Sequence, residues 1–408
     1  MSRWDLESTG LEGPKIRGSW KYGKILVLIL VVLLVLRGYQ IFTERGPVEV
    51  HDWYDLDDVR NDLSDDYILM NDLDENTSGY DELVNTEDGW DPIGEYLFTA
   101  VEPPFITEPF EGTFDGNGHT IRDLKIDRKN LDSVGLFSLV GGEIKDVEII
   151  DAEVIGGPVV GGLAASNGGT IENSYFTGCV SGDRQIGGLV GTNSGVIRDS
   201  HAIGYMEGDR RMGSLVGRNN KRIENSSANG DVSGERTLGG LVGSNWVNGV
   251  VKNSYSTGDV DGNTTVGGLV GGNWGTVSDS YATGEVSGEE NVAGLVGYNS
   301  DMVSNSYATG NVSGNSNVGG FVGENDEGKV QNSFWDVNTT YQDDSDGGTG
   351  KTTVEMKDVA TFTNTTADGL NEPWDFVENP YDDEGNEDIW DIDKNINDGY
   401  PFLSWKRS

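Results

Sequence analysis

The chain has 408 residues, 35% of them hydrophobic, and carries 60 glycines against 10 prolines without a Gly-X-Y period, which excludes collagen and argues against a disordered chain. Sixty-nine acids against 28 bases give a net charge of −41, spread along the whole length. That distribution reads as a folded surface suited to high salt, where screening tames self-repulsion, and it excludes nucleic acid as a partner. One cysteine, Cys179, rules out an intramolecular disulfide, and three scattered histidines offer no zinc-ligand spacing.

The first predicted element is a membrane helix. Twelve apolar residues, 25–36, lie between Lys24 and Arg37, and Tyr39, Ile41 and Phe42 extend the apolar zone. Twelve residues span about 18 Å as a helix, so the flanking aromatic and basic side chains must reach interface depth for the segment to cross. No small-x-small cleavage site follows, so an uncleaved signal anchor over 25–42 is expected. Basic residues in 1–24 place that tail in the cytoplasm and the bulk of the chain outside the cell membrane. A cleaved signal and a secreted product is the alternative.

Residues 47–133 are expected to cap the start of the repeats and form the first coil. DLDDVRNDL (55–63) puts Leu56, Val59 and Leu63 at helical spacing, and YILMNDLD reads as a strand. His119, in FEGTFDGNGHTIRDLKI (110–126), reads as a turn residue.

From 134 to 335 the sequence repeats. The leucine of GGLVG recurs as Leu163, Leu189, Leu215, Leu241, Leu269, Leu295 and Phe321, in steps of 26, 26, 26, 28, 26 and 26. Each period holds three short β-branched stretches separated by Gly, Asn and Ser, none long enough for a helix. One period cannot bury its own apolar faces, whereas stacked periods can, which predicts parallel strands one above another. The expected fold is all-β: a single-stranded parallel β-helix of about eight coils with N- and C-terminal caps, preceded by one membrane helix. Glycine is expected to turn each corner with φ > 0 and to leave room where coils crowd. An Asn column (Asn167, Asn193, Asn219, Asn245, Asn273, Asn299, Asn325) is expected to form a hydrogen-bonded ladder, and a second polar column runs from Asn173 through Asp199 to Asn332.

The pattern GGLVGxNxGxIxNSYATGxVSG resembles the GLUG repeat over about residues 134–335. Residues 186–208, 266–288 and 292–314 match well, while 212–234 departs with GSLVG and NSSANG. Residues 110–126 resemble the opening coil of pectate-lyase-like β-helices. The resemblance implies a scaffold of the kind found in large surface and secreted proteins, some bacterial proteases among them, and a haloarchaeal-type surface protein in view of the charge.

Residues 336–408 are expected to close the far end. Within them GGTGKTT (347–353) fails as a phosphate-binding loop, because Ser345 stands where the first glycine is required. DIDKNINDG (391–399) alternates oxygen ligands, which makes Asp391, Asp393 and Asn395 the candidates for a weak calcium site, although Ile396 occupies the position a calcium loop gives to glycine. No other cofactor is implied. Six glycosylation sequons begin at Asn76, Asn225, Asn263, Asn311, Asn338 and Asn364.

Two features suggest binding. Arg184, Arg210 and Arg236 each stand five residues before a column leucine, in a segment (183–236) holding 8 bases and 7 acids. Trp246 and Trp274 share a column just downstream. Together they are candidates for one face that takes a surface glycan or an acidic surface-layer protein. The expected function is non-catalytic: surface structure, adhesion or envelope binding. A polysaccharide lyase or glycoside hydrolase is the alternative, with Asp231, Asp259 and Glu285 on successive rungs as its nearest carboxylates. No catalytic residue is assigned.

Overall fold

The structure, a computed structural model, describes residues 46–98, 105–377 and 388–407. The predicted membrane segment 25–42 and the tail before it lie outside these residues. Among the described residues no helix is long and apolar enough to cross a membrane.

Residues from Val48 onward wind into a parallel β-solenoid of about nine turns, close to the eight expected from the repeat count. Three sheets line it. The first has eleven strands, from Val48–Val50 to Lys329–Gln331, and the third has eight, from Phe137–Val140 to Val322–Asn325. The second has twenty shorter or longer pieces, the longest being His201–Gly213. The pairings within the repeats are parallel and in register, for example Ile171 with Ile197 and Asn193 with Asn219, apart from one register shift between Ile149 and Ala152 where Glu148–Gly156 meets Tyr175–Gly182. The column leucines pass the chain between sheets, and the amide of Leu189 donates to the carbonyl of Leu215 at 3.2 Å. The column residues Leu163 through Phe321 are fully buried, as are the Ile171 and Ile186 columns beside them except for their last members, Val330 and Val318, which are half-buried.

The polar columns divide their labour in a way the repeat alone did not settle. The Asn167–Asn325 column lies in extended strand and faces inward, each Nδ2 donating to the next Oδ1 at 2.8–2.9 Å. The positive backbone angle falls instead on the second column, where Asn173, Asp199, Asn225, Asn253, Asp279, Asn305 and Asn332 all have φ between 45° and 51°. Asn and Asp take this conformation more readily than other side chains because their short polar groups bond locally. The expectation that motif glycines make the corners with φ > 0 in every coil is therefore corrected: among the repeat glycines described, only Gly178 and Gly204 have a positive φ. The motif glycines are required by close approach: a Cβ on Gly188 would stand 2.3 Å from the Ser214 carbonyl oxygen, and one on Gly217 would stand 2.4 Å from the Ile186 amide nitrogen.

Before the repeats, Asp52 caps the helix Trp53–Asp58 by accepting from the amides of Tyr54 and Asp55. Trp53 and Leu56 pack from that helix into the solenoid core. After the repeats, the GGTGKTT stretch supplies the last strand in chain order of the second sheet, Thr349–Lys351, paired with Phe334–Asp336, and then the four-residue helix Thr353–Met356 with a Thr352–Glu355 capping box. Ser345 Oγ accepts from the amides of Phe321 and Val322, covering the open edge of the third sheet.

Residues 388–407 then run back along the second sheet rather than ending at the last coil. Tyr255, Tyr281 and Tyr307 stack on successive rungs at 4.9 and 5.0 Å with planes within 4°. The returning strap covers them: Tyr307 donates to the Pro401 carbonyl, and Trp405 donates to the Asn253 carbonyl. Ser227 leaves a gap in this aromatic column between His201 and Tyr255. The Trp405 indole fills it, 5.8 Å from the His201 ring and 5.6 Å from Tyr255.

Candidate functional site

The features expected to bind converge on the corner where the second sheet gives way to the third. Arg210 and Arg236 pair in register, and Arg184 precedes the equivalent strand one turn earlier. All three are exposed, and none makes an ion pair among the described residues. Near the end of the second-sheet strand the next residue has a positive φ in five turns, 56° at Arg211, 60° at Thr237, 62° at Thr265, 55° at Asn291 and 50° at Asn317, whereas Gln185, which follows Arg184, does not. On the outer face of the third sheet stands Arg218, whose Nε donates to Asn220 Oδ1 and whose guanidinium lies 4.5 Å from the centroid of Trp246. Partial burial lowers the Arg218 pKa, and the nearby charge of Arg211 lowers it further. Arg211, which the sequence did not single out, is thus a member of the same cationic group.

Trp246 and Trp274 do share a strip, but they spend their faces on one another. Their centroids are 5.6 Å apart at 27°, with Arg218 over the first ring and Tyr298 5.5 Å from the second. The distal edge of Trp274 points at Gly272, whose missing side chain makes room for it. Tyr298 continues the strip and donates to Asp326, a bond that, with burial, raises its pKa. Both indoles are half-buried, so they act as a rigid wall beside the arginines. A flat platform for a sugar ring would need a free face.

The carboxylate column has a structural occupation. Asp231 Oδ1 accepts from the amide of Asp259 at 3.0 Å, and Asp259 Oδ1 from the amide of Glu285 at 2.8 Å. Asp231 and Asp259 thereby each satisfy a main-chain donor of the next rung.

An open groove of about 380 Å³ lies near the corner of the first and second sheets, with Asp146, Glu148, Tyr175, Asp199 and His201 on its walls. Most of these are engaged: Asp146 accepts from Asn173, Asp199 from Asn225, and His201 Nδ1 meets Ser227 Oγ. Burial pushes the His201 pKa down, against a smaller upward pull from Asp199.

At the calcium candidates, Asp391 is buried in a strand paired with Phe402, and Asp393 Oδ1 accepts from both nitrogens of Asn395 in a local turn. No group of three or more His, Cys, Asp or Glu side chains positioned for a metal occurs among the described residues. Of the sequon asparagines, Asn76, Asn263, Asn338 and Asn364 are exposed, whereas Asn225 and Asn311 are half-buried. Asn225 also commits its Nδ2 to Asp199.

A serine column escaped the sequence reading. Ser174, Ser200, Ser226, Ser254, Ser280, Ser306 and Ser333 are buried, each donating to the carbonyl two residues back while accepting, from Ser200 onward, the amide of the serine one turn earlier. Its signal was the unvaried serine that follows the Asn or Asp of the second polar column.

A closed run of such turns, with inward Asn and Ser ladders and outward variable columns, defines a repeat solenoid, and comparison with known proteins names the repeat. The chain matches the GLUG motif at residues 234–261, 262–287 and 288–313, all of them within the parallel β-solenoid. It is 36% identical over 121 residues to halomucin of Haloquadratum walsbyi (strain DSM 16790 / HBSQ001), a match that takes in 29% of this chain and 1% of halomucin. Among solved structures it is similar to an IgA1 protease, with a TM-score of 0.45 and 16% identity over 74% of this chain and 23% of the other. The chain therefore spans only a small part of the relatives it matches.

Proposed function

We propose that this protein is a non-catalytic β-helix displayed outside the cell, held at the membrane by its 25–42 segment, where it serves surface structure, adhesion or contact with an envelope glycan. The observation that carries this reading is how the exposed polar columns are used. The carboxylates of Asp231 and Asp259 are spent on the main chain of the next rung, while Arg184, Arg210 and Arg236 remain exposed and without an ion pair among the described residues. A rod that commits its nearest carboxylates to its own backbone and leaves cations outward is equipped to hold an anion rather than to cleave a bond. The likeness to halomucin and the net charge of −41 support a saline surface setting.

The test is to present the full chain, in molar salt with and without calcium, to a panel of envelope glycans while assaying reducing ends and unsaturated uronates. Saturable retention without product is the expected result. Release of product would replace this reading with that of a polysaccharide lyase or hydrolase.

A further inference from the structure

We propose that the corner between the second and third sheets is a binding strip for an anionic polysaccharide lying parallel to the solenoid axis, with Arg184, Arg210 and Arg236 each taking one acidic group and Arg211 and Arg218 flanking the middle turn. This rests on the surface-binding reading above and supplies its site and ligand class.

Three observations meet there. The first is spacing. Arg210 and Arg236 are directly paired rungs, so their Cα atoms lie about 4.8 Å apart along the axis. An extended pyranose chain advances by a similar distance per sugar, so a polymer with one acid per sugar keeps step with the arginines. The second is cation type. All five members are arginine, whose planar guanidinium bonds a carboxylate or sulfate through two parallel N–H groups. In 1 M salt the screening length is about 3 Å, so distant attraction vanishes and only such contact pairs retain value. Asp183, Asp209 and Glu235 stand beside the arginine column without pairing to it among the described residues. They keep the local charge near balance, so capture depends on contact geometry rather than on a general field.

The third observation is backbone conformation. Later turns place Asn291 and Asn317 at this left-handed position, the turns before them place Arg211, Thr237 and Thr265 there, and Gln185 after Arg184 is not left-handed. A left-handed backbone is disfavoured for an ordinary L-residue. Arg211, the one charged side chain among these five, kept where the last two turns use asparagine, points to a demand from outside the fold. Trp246, covered by Arg218, walls the strip on the third-sheet side.

The experiment uses the full chain against immobilised polygalacturonate, dextran sulfate and unmodified dextran, with the triple variant R184Q/R210Q/R236Q, the single variant Arg211→Asn, and Arg198→Gln as control. Arg198 sits on the first sheet and pairs with Glu172. Hydrogen bonds to charged groups contribute roughly 1.5–3 kcal/mol each, so the triple variant should weaken binding at least about 100-fold. Arg211→Asn should bind less tightly while melting at a higher temperature, a combination that a merely structural role would not give. Arg198→Gln should bind as wild type. Whichever polymer is retained identifies the acidic group as carboxylate or sulfate. The proposal is overturned if the triple variant binds as wild type, if Arg198→Gln is equally damaging, or if plain dextran is retained as well as the acidic polymers. Arginine-dependent capture of an acidic protein with neither polymer retained would overturn it too. A glycan held equally by wild type and triple variant removes this strip and leaves the surface-binding reading standing, whereas retention of no glycan removes both.

Discussion

Replacing Asn219 with alanine should destabilise the solenoid by about 3–5 kcal/mol. The side chain is fully buried at the middle of the inner ladder. Its Oδ1 accepts from Asn193 Nδ2 at 2.8 Å and from the Lys221 amide at 3.3 Å. Its Nδ2 donates to Asn245 Oδ1 at 2.9 Å and to the Val250 carbonyl at 3.3 Å. Asn193 Nδ2 retains the Gly195 and Arg222 carbonyls after truncation, but the Lys221 amide and Asn245 Oδ1 lose the partner described for them. With the Lys221 amide only part-buried, the two groups left unsatisfied cost about 1–2 kcal/mol each, in the lower part of the usual range, and the side-chain volume removed adds about 1 kcal/mol more. The assay is equilibrium urea unfolding in the salt that supports folding, with Asn325→Ala as comparison. Asn325 ends the ladder, half-exposed, and accepts from Asn299 while donating only to Gly328, so its loss should cost about 1 kcal/mol. Repeat arrays can lose cooperativity, so the slope of the transition must be compared as well as its midpoint. Equal costs for the two variants, or a cost at Asn219 below about 1 kcal/mol, would refute the idea that the ladder is a chain of satisfied buried amides.

Three further outcomes follow from particular contacts. Thr237→Asn should stabilise the fold by about 0.5–1 kcal/mol, seen as a raised melting temperature, because asparagine tolerates the φ of 60° that threonine resists. Trp405→Ala should leave the coils intact but loosen the returning strap by about 2 kcal/mol, near a 30-fold rise in local opening, read by hydrogen exchange across residues 389–405. His201, whose folded pKa is depressed, binds a proton more readily in the unfolded chain. Its contribution to stability is therefore complete above the unfolded pKa near 6.5 and declines as the pH falls from there through the folded value. In His201→Gln the acid branch of a pH–stability curve should be flatter over that window, and an unchanged branch would contradict the assignment.

Much of the architecture could be read in the sequence because a solenoid turns three-dimensional neighbours into a one-dimensional period. Leu189 and Leu215 stack because they lie 26 residues apart, and the same arithmetic identified the Asn167–Asn325 ladder. The period gives position but not direction. It did not reveal that Asn173 and its equivalents carry the left-handed backbone, or that Gly188 and Gly217 are fixed by approaching main-chain atoms. The strap was illegible for the opposite reason. Trp405 meets Asn253 across 152 residues with no repeat to announce it, and the clue was the absence of an aromatic at Ser227. At the candidate site the exposure of Arg184, Arg210 and Arg236 followed from their column, but the mutual packing of Trp246 and Trp274 depended on Gly272 and Arg218, which lie outside that column.

The central claim is that consecutive turns run parallel and in register, and the single natural thiol tests it. Cys179 is exposed and pairs with Tyr205 one rung on, which in turn pairs with Asp231. In the Tyr205→Cys variant the two thiols should be bridged within one chain by dibromobimane, giving its fluorescent doubly alkylated adduct. In Asp231→Cys, with the thiols two rungs or about 9.6 Å apart, they should not be bridged. Adduct formation with Asp231→Cys and none with Tyr205→Cys would contradict the stacked, in-register solenoid.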